Sequence, residues 1–293
     1  MRILVLGADS SVGSCVLSEA RQLGFECLGT SRRTDACGGK INLDLLQPQT
    51  WEESFAWKPS VVIGCLAISN LKECEGNPQS RVVNVTAICE LLDRFGRNGA
   101  RTIFLSTNSV FGGDRDHGGE DEPVAPKLAY SRQKAEAERN FLAAAAQRGG
   151  ARNASVVRLT RVLTPSVAPF PMWTKDLLSG KKIEAFTDFV FSPISCRYAA
   201  RGLLRIGEAA EGGVFHLSGE DDLSYFDFAE LLARYFKRGG VRPATAVARG
   251  VDLLFKPSHS ALGMARTSRL LGIQPQQPSS VIAELAEEWA KAA

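Results

Sequence analysis

The chain has 293 residues, 44% of them hydrophobic, with 35 basic and 32 acidic side chains and a formal charge of +3. That length can bury a full core, and it suits one large domain carrying a smaller lobe better than several small domains. The weak net field and the lack of any run of five like charges argue against nucleic acid or a membrane surface as partner.

Seven cysteines (Cys15, Cys27, Cys37, Cys65, Cys74, Cys89 and Cys196) are odd in number, scattered, and without CxxC or metal-ligand spacing. Reduced thiols in a cytoplasm are the simplest account, with no metal site expected. The apolar run from Met1 ends at Gly7-Ala8-Asp9-Ser10, so it reads as a buried strand rather than a signal peptide. The longest other apolar stretch, Val61 to Ile68, is far short of a bilayer span.

Apolar runs of strand length at 2–6, 25–29, 61–66, 102–105 and 155–159 alternate with segments of helical period at 11–24, 78–97 and 127–148. This alternation predicts an α/β fold, a doubly wound parallel sheet with helices on both faces. Gly24 should end the first helix, Pro78 start a later one, and Gly149-Gly150 stop the long one. Beyond residue 160 the rhythm changes, with Pro165, Pro169 and Pro171 close together. A first domain over 1–160 and a smaller α/β lobe, mainly 161–293 with some segments returning to the first domain, are therefore expected. Leu223 to Phe236 has an amphipathic helical pattern, and a final helix should run to Ala293.

The first strand runs into Gly7-Ala8-Asp9-Ser10-Ser11-Val12-Gly13, and a helix follows. In such a turn the first glycine permits the sharp bend and the last permits close helix packing, while free amides at the helix start face a pyrophosphate. Ser10 stands where GxxGxxG has its middle glycine, and its hydroxyl is expected to donate to a phosphate. By itself the motif is equally compatible with an ordinary βα turn. The next strand ends in Thr30-Ser31-Arg32-Arg33, where an NAD-binding protein usually has an acid for the adenosine ribose. Two guanidiniums and no acid suit the 2'-phosphate of NADP, the alternative being a pair of solvated surface arginines.

Tyr130-Ser131-Arg132-Gln133-Lys134 opens a helical stretch, so Tyr130 and Lys134 lie one turn apart on one face. An ammonium beside a phenol is expected to lower the tyrosine pKa and make it a usable proton donor and acceptor. Upstream, Ser106-Thr107-Asn108-Ser109 puts hydroxyls at the carboxyl edge of the sheet, where doubly wound folds bind ligands.

With these residues in place the sequence resembles the extended short-chain dehydrogenase/reductases, and within them the dTDP-4-dehydrorhamnose reductase group. Ser106-Thr107-Asn108-Ser109-Val110-Phe111 is similar to that group's STDYVF, and Tyr130 to Lys134 matches its YxxxK. Lys58-Pro59-Ser60-Val61-Val62-Ile63, Cys74-Glu75-Gly76-Asn77-Pro78 with Asn84-Val85, and Val214-Phe215-His216-Leu217-Ser218-Gly219 extend the likeness over nearly the whole chain. The resemblance implies a Rossmann domain that binds NADP(H), with Thr107, Tyr130 and Lys134 as catalytic triad. It implies further cofactor contacts at Asp44, Leu45, Cys65, Leu66 and Ala67, beside Gly7, Ser10, Ser11, Val12, Gly13, Ser31, Arg32 and Arg33 of the turn. The implied reaction is hydride transfer from NADPH to a keto carbon of a nucleotide-linked sugar, with Tyr130 protonating the forming alkoxide; a homodimer is implied by the family alone.

Departures bear on the sugar more than on the reaction. Asn108 and Ser109 replace an aspartate and a tyrosine, Gly64 replaces an asparagine, and Leu159-Thr160-Arg161 stands where the group has threonine, serine and tryptophan. Asn108 and Arg161 are expected to face the substrate, and Lys256, in a variant of the group's RPxxSxL, to meet its diphosphate. His216, with no ligand partner at metal spacing, reads as a core residue or one that supports the site from behind. Two alternatives stay open: an epimerase or dehydratase on the same lobe, which would usually keep NAD, and a non-catalytic NADP-binding regulatory subunit.

Overall fold

A computed structural model describes residues 1–33, 39–250 and 254–292; Cys37 and Ala293 lie outside them. In chain order the first half runs β1 (Arg2–Leu6), α1 (Ser11–Gln22), β2 (Glu26–Ser31), β3 (Ile41–Asn42), α2 (Glu52–Ala56) and β4 (Val61–Gly64). It continues through α3 (Leu71–Gly76), α4 (Gln79–Arg81), α5 (Ile88–Arg97), β5 (Arg101–Thr107), α6 (Ala129–Gln147) and β6 (Ala154–Leu159). The second half comprises β7 (Arg161–Leu163), α7 (Phe170–Leu178), β8 (Lys182–Phe186), β9 (Val190–Phe191), β10 (Pro193–Ser195) and α8 (Cys196–Gly207). Then come β11 (Gly213–Leu217), β12 (Leu223–Ser224), α9 (Tyr225–Phe236), β13 (Gly240–Ala244), α10 (Ala265–Leu271) and α11 (Pro278–Ala292).

Seven strands pair in parallel in the order β11-β6-β5-β4-β1-β2-β3. This is the doubly wound arrangement, with β11 added beyond β6 and the order reversing between β1 and β4. Side-chain alternation splits the sheet's two faces. Ile3 and Val5 pack with Leu17, Ala20, Ala199 and Leu203 of α1 and α8, while Leu4 and Leu6 pack with Leu91, Phe95 and Phe141 of α5 and α6. Two elements from beyond residue 160, α8 and β11, are therefore part of the Rossmann layer.

The helical segment expected over 78–97 is divided into α4, a π-helical turn over Val82–Ala87, and α5. Inside that turn the buried Asn84 amide donates to Ile68 O (2.9 Å) and Gln133 Oε1 (2.8 Å), and its oxygen accepts from Ile68 N (2.8 Å). A π turn re-aims side chains that a regular helix would point elsewhere. Here it secures the loop that leaves β4.

The second core is aromatic. Phe170 sits 5.2–6.2 Å, centroid to centroid, from Trp173, Phe191, Tyr225, Phe228 and Trp289. Short pairs frame it: β8 with β13 in parallel, and β9 with β12 antiparallel. Trp289 of α11 is fully buried, and its indole N–H donates to Thr164 O at 3.1 Å. No described helix is long and apolar enough to cross a membrane.

Because Trp289 closes this core and carries the only hydrogen bond its indole can make, Trp289→Ala should lower stability by about 3–5 kcal/mol. Urea denaturation followed by circular dichroism checks this.

Candidate active site

The turn after β1 is held from three sides. Gly7, at φ +75°, donates its amide to Thr30 Oγ1 (3.1 Å), and Ala8 N donates to Thr30 O (2.9 Å), so the end of β2 anchors the bend. β2 runs two residues beyond its expected end because Thr30 and Ser31 pair with Ile41 and Asn42 of β3. Ser10 caps α1: its Oγ accepts from Gly13 N (3.0 Å) and donates to Gly7 O (2.8 Å). The hydroxyl expected to reach a phosphate is thus committed to the turn itself, because a helix N-terminus leaves amides that a serine at this position satisfies. A Cβ on Gly13 would lie 2.3 Å from Gly7 O, so only glycine lets α1 start this close. Among the described residues the Ser11 and Val12 amides have no protein acceptor, which leaves two donors at the positive end of a 12-residue helix.

Three adjoining cavities follow the sheet's carboxyl edge. The first, about 400 Å³, is lined by Gly7 and Ser10 of the turn, by Ser31, Arg32 and Arg33 after β2, and by Asp44 and Leu45. Its floor is Cys65, Leu66 and Ala67, the segment that Asn84 holds. Arg33 N donates to Ser31 Oγ at 3.0 Å. Two residues with no signal in the sequence also meet here. Asp9 accepts from Ser31 Oγ and is ion-paired with Lys40, and these contacts, Lys40 first, hold its carboxyl below the usual value. The free amides, the small-residue turn and the two guanidiniums together fit a dinucleotide that carries a 2'-phosphate.

The second cavity, about 280 Å³, is lined by Ser11 and Val12 on one side and by Thr107, Tyr130 and Lys134 on the other. It shares Thr107 and Tyr130 with a third, of about 480 Å³, walled by Arg161, Phe189, Phe191, Tyr225 and Phe255. Tyr130 therefore stands where the two spaces meet. Thr107, the last residue of β5, accepts from Ser109 N (3.2 Å), and its hydroxyl lies 3.1 Å from Ser109 Oγ, which in turn accepts from Ser131 Oγ (2.7 Å).

The tyrosine pKa is raised here, where the spacing with Lys134 suggested a lowered one. The Lys134 ammonium is 3% exposed, donates to Leu105 O (2.7 Å), and lies 4.4 Å from the centre of the Phe104 ring. Burial pulls its pKa down to about 8, against a smaller opposing pull from Glu138. Burial pushes the Tyr130 phenol above its ordinary value, with the Cys74 thiol adding to the effect. Desolvation is the largest influence on both groups.

Two of the residues expected at the substrate have other partners. Asn108 lines the third cavity, but its amide protons go to Ser260 O (2.9 Å) and Ser260 Oγ (2.8 Å), which ties β5 to the loop before α10. Lys256 does not line the cavity: its ammonium is paired with Asp188 Oδ2 at 2.8 Å, and its neighbours Phe255 and Pro257 face the space instead. A surface lysine takes the nearest carboxylate when one is in reach. Asp222 completes the loop by accepting the Ser260 and Ala261 amides, both at 2.7 Å. These partners lie more than a hundred residues from Asn108, so no spacing in the sequence announces them.

Gly13→Ala should lower stability by about 1–3 kcal/mol through overpacking against Gly7 O, measured by thermal melting. For Lys134 the folded value near 8 lies below the ordinary 10.5. The unfolded chain thus holds more protons between those pH values, and the burial cost is full below pH 8 and gone above 10.5. Lys134→Met should therefore exceed the wild type in stability at pH 7 by about 1–3 kcal/mol, and the gap should close as pH rises from 8 to 10.5, as urea titrations at each pH would reveal.

Comparison with known proteins agrees with this architecture. The chain matches the RmlD substrate binding domain family over residues 1–290. It is 28% identical over 289 residues to a dTDP-4-dehydrorhamnose reductase of Mycobacterium tuberculosis, covering 94% of this chain and 88% of the relative. It is also 27% identical over 286 residues to a probable low-salt glycan biosynthesis reductase of Haloferax volcanii, covering 93% of each. The crystal structure of a dTDP-4-dehydrorhamnose reductase from Bacillus anthracis in complex with NADP superposes with a TM-score of 0.81 at 19% identity, over 98% of both chains. The match runs through both the turn after β1 and the aromatic lobe, and the chain belongs to the RmlD substrate binding domain family.

Proposed function

We propose that this protein is an NADPH-dependent reductase of a nucleotide-linked 4-keto sugar, with Thr107, Tyr130 and Lys134 as its catalytic residues. The observation that carries it is the position of Tyr130, which borders both the space beside the α1 amides and the aromatic-walled cavity. The names of the curated relatives point to the same reaction class.

When bound, NADPH supplies the hydride. Ser11 and Val12 amides at the α1 N-terminus take the pyrophosphate, and Arg32 and Arg33 take the 2'-phosphate. Lys134 orients the nicotinamide ribose at the far end. Thr107 donates a hydrogen bond to the keto oxygen and holds it toward Tyr130. The Tyr130 phenol is protonated at neutral pH, the state a proton donor to a forming alkoxide needs, and burial raises it further above its ordinary value. Arg161, on the wall of the third cavity, is the cation placed for the substrate's diphosphate, a role that Lys256 in its pair with Asp188 leaves open. A homodimer and a cytoplasmic setting are inferred from the family alone.

Fluorescence titration should find NADPH binding much tighter than NADH, and the Arg32→Ala/Arg33→Ala protein should lose roughly 10–100-fold in NADPH affinity while NADH binding stays put. Equal affinity for both cofactors in the wild type would sink the 2'-phosphate assignment. With dTDP-4-dehydrorhamnose as probe, Tyr130→Phe should cut NADPH oxidation about 10²–10⁴-fold without changing the NADPH Kd. Tight NADPH binding with no oxidation by the wild type would point instead to a binding subunit.

A further inference from the structure

Behind the catalytic helix lies a charged cluster that the reaction as described does not use. Register aligns Ser106 of β5, Arg158 of β6 and His216 of β11 in one row across the sheet. Arg158 reaches Glu138 of α6 through Nε (3.1 and 3.2 Å) and Nη2 (2.7 Å), and both side chains are 6% exposed. Its Nη1 lies 3.3 Å from His216 Nε2, and its guanidinium lies 5.1 Å from the centre of the Phe111 ring. His216 Nδ1 is 2.7 Å from Gly263 O, which can only accept, so the imidazole proton sits on Nδ1 and Nε2 accepts from Arg158. Burial first, and Arg158 next, push His216 down to about 4, so the ring is neutral and this tautomer holds at working pH.

Glu138 is one helical turn beyond Lys134 on α6. A buried ion pair adds little net stability, whereas removing one partner leaves a bare charge in the interior. The cluster is therefore poorly explained as a fold stabiliser, and its placement beside the one buried ammonium of the candidate site has a direct electrostatic consequence. The titratable groups that bear on Lys134 are Glu138 on its own helix, Cys65 after β4, Cys74 of α3 and Cys89 of α5, and Tyr130 lies one turn before it on that helix. Burial raises all three thiols above their ordinary values, so they are neutral, and Glu138 is the only anion among them.

We propose that Glu138 and Arg158 are positioning residues that set the charge on Lys134, with His216 fixing the arginine and connecting it to the loop that borders the substrate cavity. The catalytic meaning of that charge rests on the reductase assignment above. Glu138 offsets part of the desolvation of the ammonium, while Arg158 limits how far the carboxylate can do so. His216 extends the chain of contacts to Gly263, three residues after the Ser260 that holds Asn108. One connected set of polar contacts thus runs from the lysine's helix to the substrate-side loop.

The sign of the effect separates this from a structural role. Glu138→Gln leaves Arg158 unpaired and adds net positive charge near Lys134; Arg158→Met leaves Glu138 unpaired and does the reverse. At an effective permittivity of about 20, one uncompensated charge at this range moves a titration midpoint by about one pH unit. Protein labelled with ¹³C and ¹⁵N at lysine, followed by NMR from pH 6 to 11, reads the Lys134 midpoint without cofactor or substrate, and the signal missing from Lys134→Met assigns it. We expect Glu138→Gln to lower the midpoint, Arg158→Met to raise it, and Glu138→Gln/Arg158→Met to return it close to wild type. The alkaline limb of NADPH oxidation should move with the midpoint. Midpoints that stay put, or that move in the same direction in both single variants, overturn the proposal. If Glu138→Gln fails to fold, Arg158→Met and the double variant carry the same test of sign. Midpoint shifts of the expected signs in the variants, with a wild type that neither binds nor oxidises NADPH, would remove the reductase assignment and leave the electrostatic one standing.

Discussion

A parallel sheet whose strand order reverses must send the connections on either side of the reversal to opposite faces, and the loops leaving the two central strands then part to leave a crevice. In this chain the reversal lies between β1 and β4, and everything assigned to the candidate site sits around it. The turn after β1 supplies the free amides of Ser11 and Val12, and the segment after β4 supplies Cys65, Leu66 and Ala67. Close approach at Gly13 brings α1 against the turn, and Asn84 in its π-helical turn keeps the opposite wall in place. The crevice is thus held by one steric opening and one fully satisfied buried amide.

Burial of charge is the second constraint. The strand edge that exposes Thr107 also buries Lys134, whose ammonium is held by a backbone carbonyl and an aromatic face rather than by an acid in direct contact. An ammonium in such a place is costly unless its surroundings compensate, and Glu138, which is paired with Arg158, lies one helical turn from it. The same desolvation raises the Tyr130 phenol, so burial favours the neutral form of both groups, and the phenol is a proton donor at neutral pH.

The carboxyl-terminal lobe contributes shape more than charge. Its aromatic core around Phe170 includes Phe191 and Tyr225, with Phe189 packed against it, and all three line the third cavity. The loop carrying Phe255 and Pro257 is fastened at Ser260 by Asn108 and Asp222. Asn108 stands where the reductases it resembles have an aspartate, and it spends its donors on this fastening. In this chain Asn108 thus ties the end of β5 to the loop before α10.

The sequence by itself determined the parallel α/β architecture, because alternating strand-length and helix-length apolar periods permit few other folds. It also marked Gly7, Gly13, Arg32, Arg33, Thr107, Tyr130 and Lys134, which lie on short local motifs whose spacing is set by a single turn or helix. His216, which the sequence shows without a ligand partner at metal spacing, is fully buried. Tertiary structure alone decided what those side chains bond to. Ser10 turned inward to cap α1, Lys134 went to Leu105 O, Lys256 to Asp188 and Asn108 to Ser260. Asp9 with Lys40, and Glu138 with Arg158, likewise join residues that are 20 or more positions apart. Hydrogen bonds and ion pairs are short-ranged and competitive, so their partners depend on which groups the fold brings within about 3 Å of one another, and chain spacing does not carry that information.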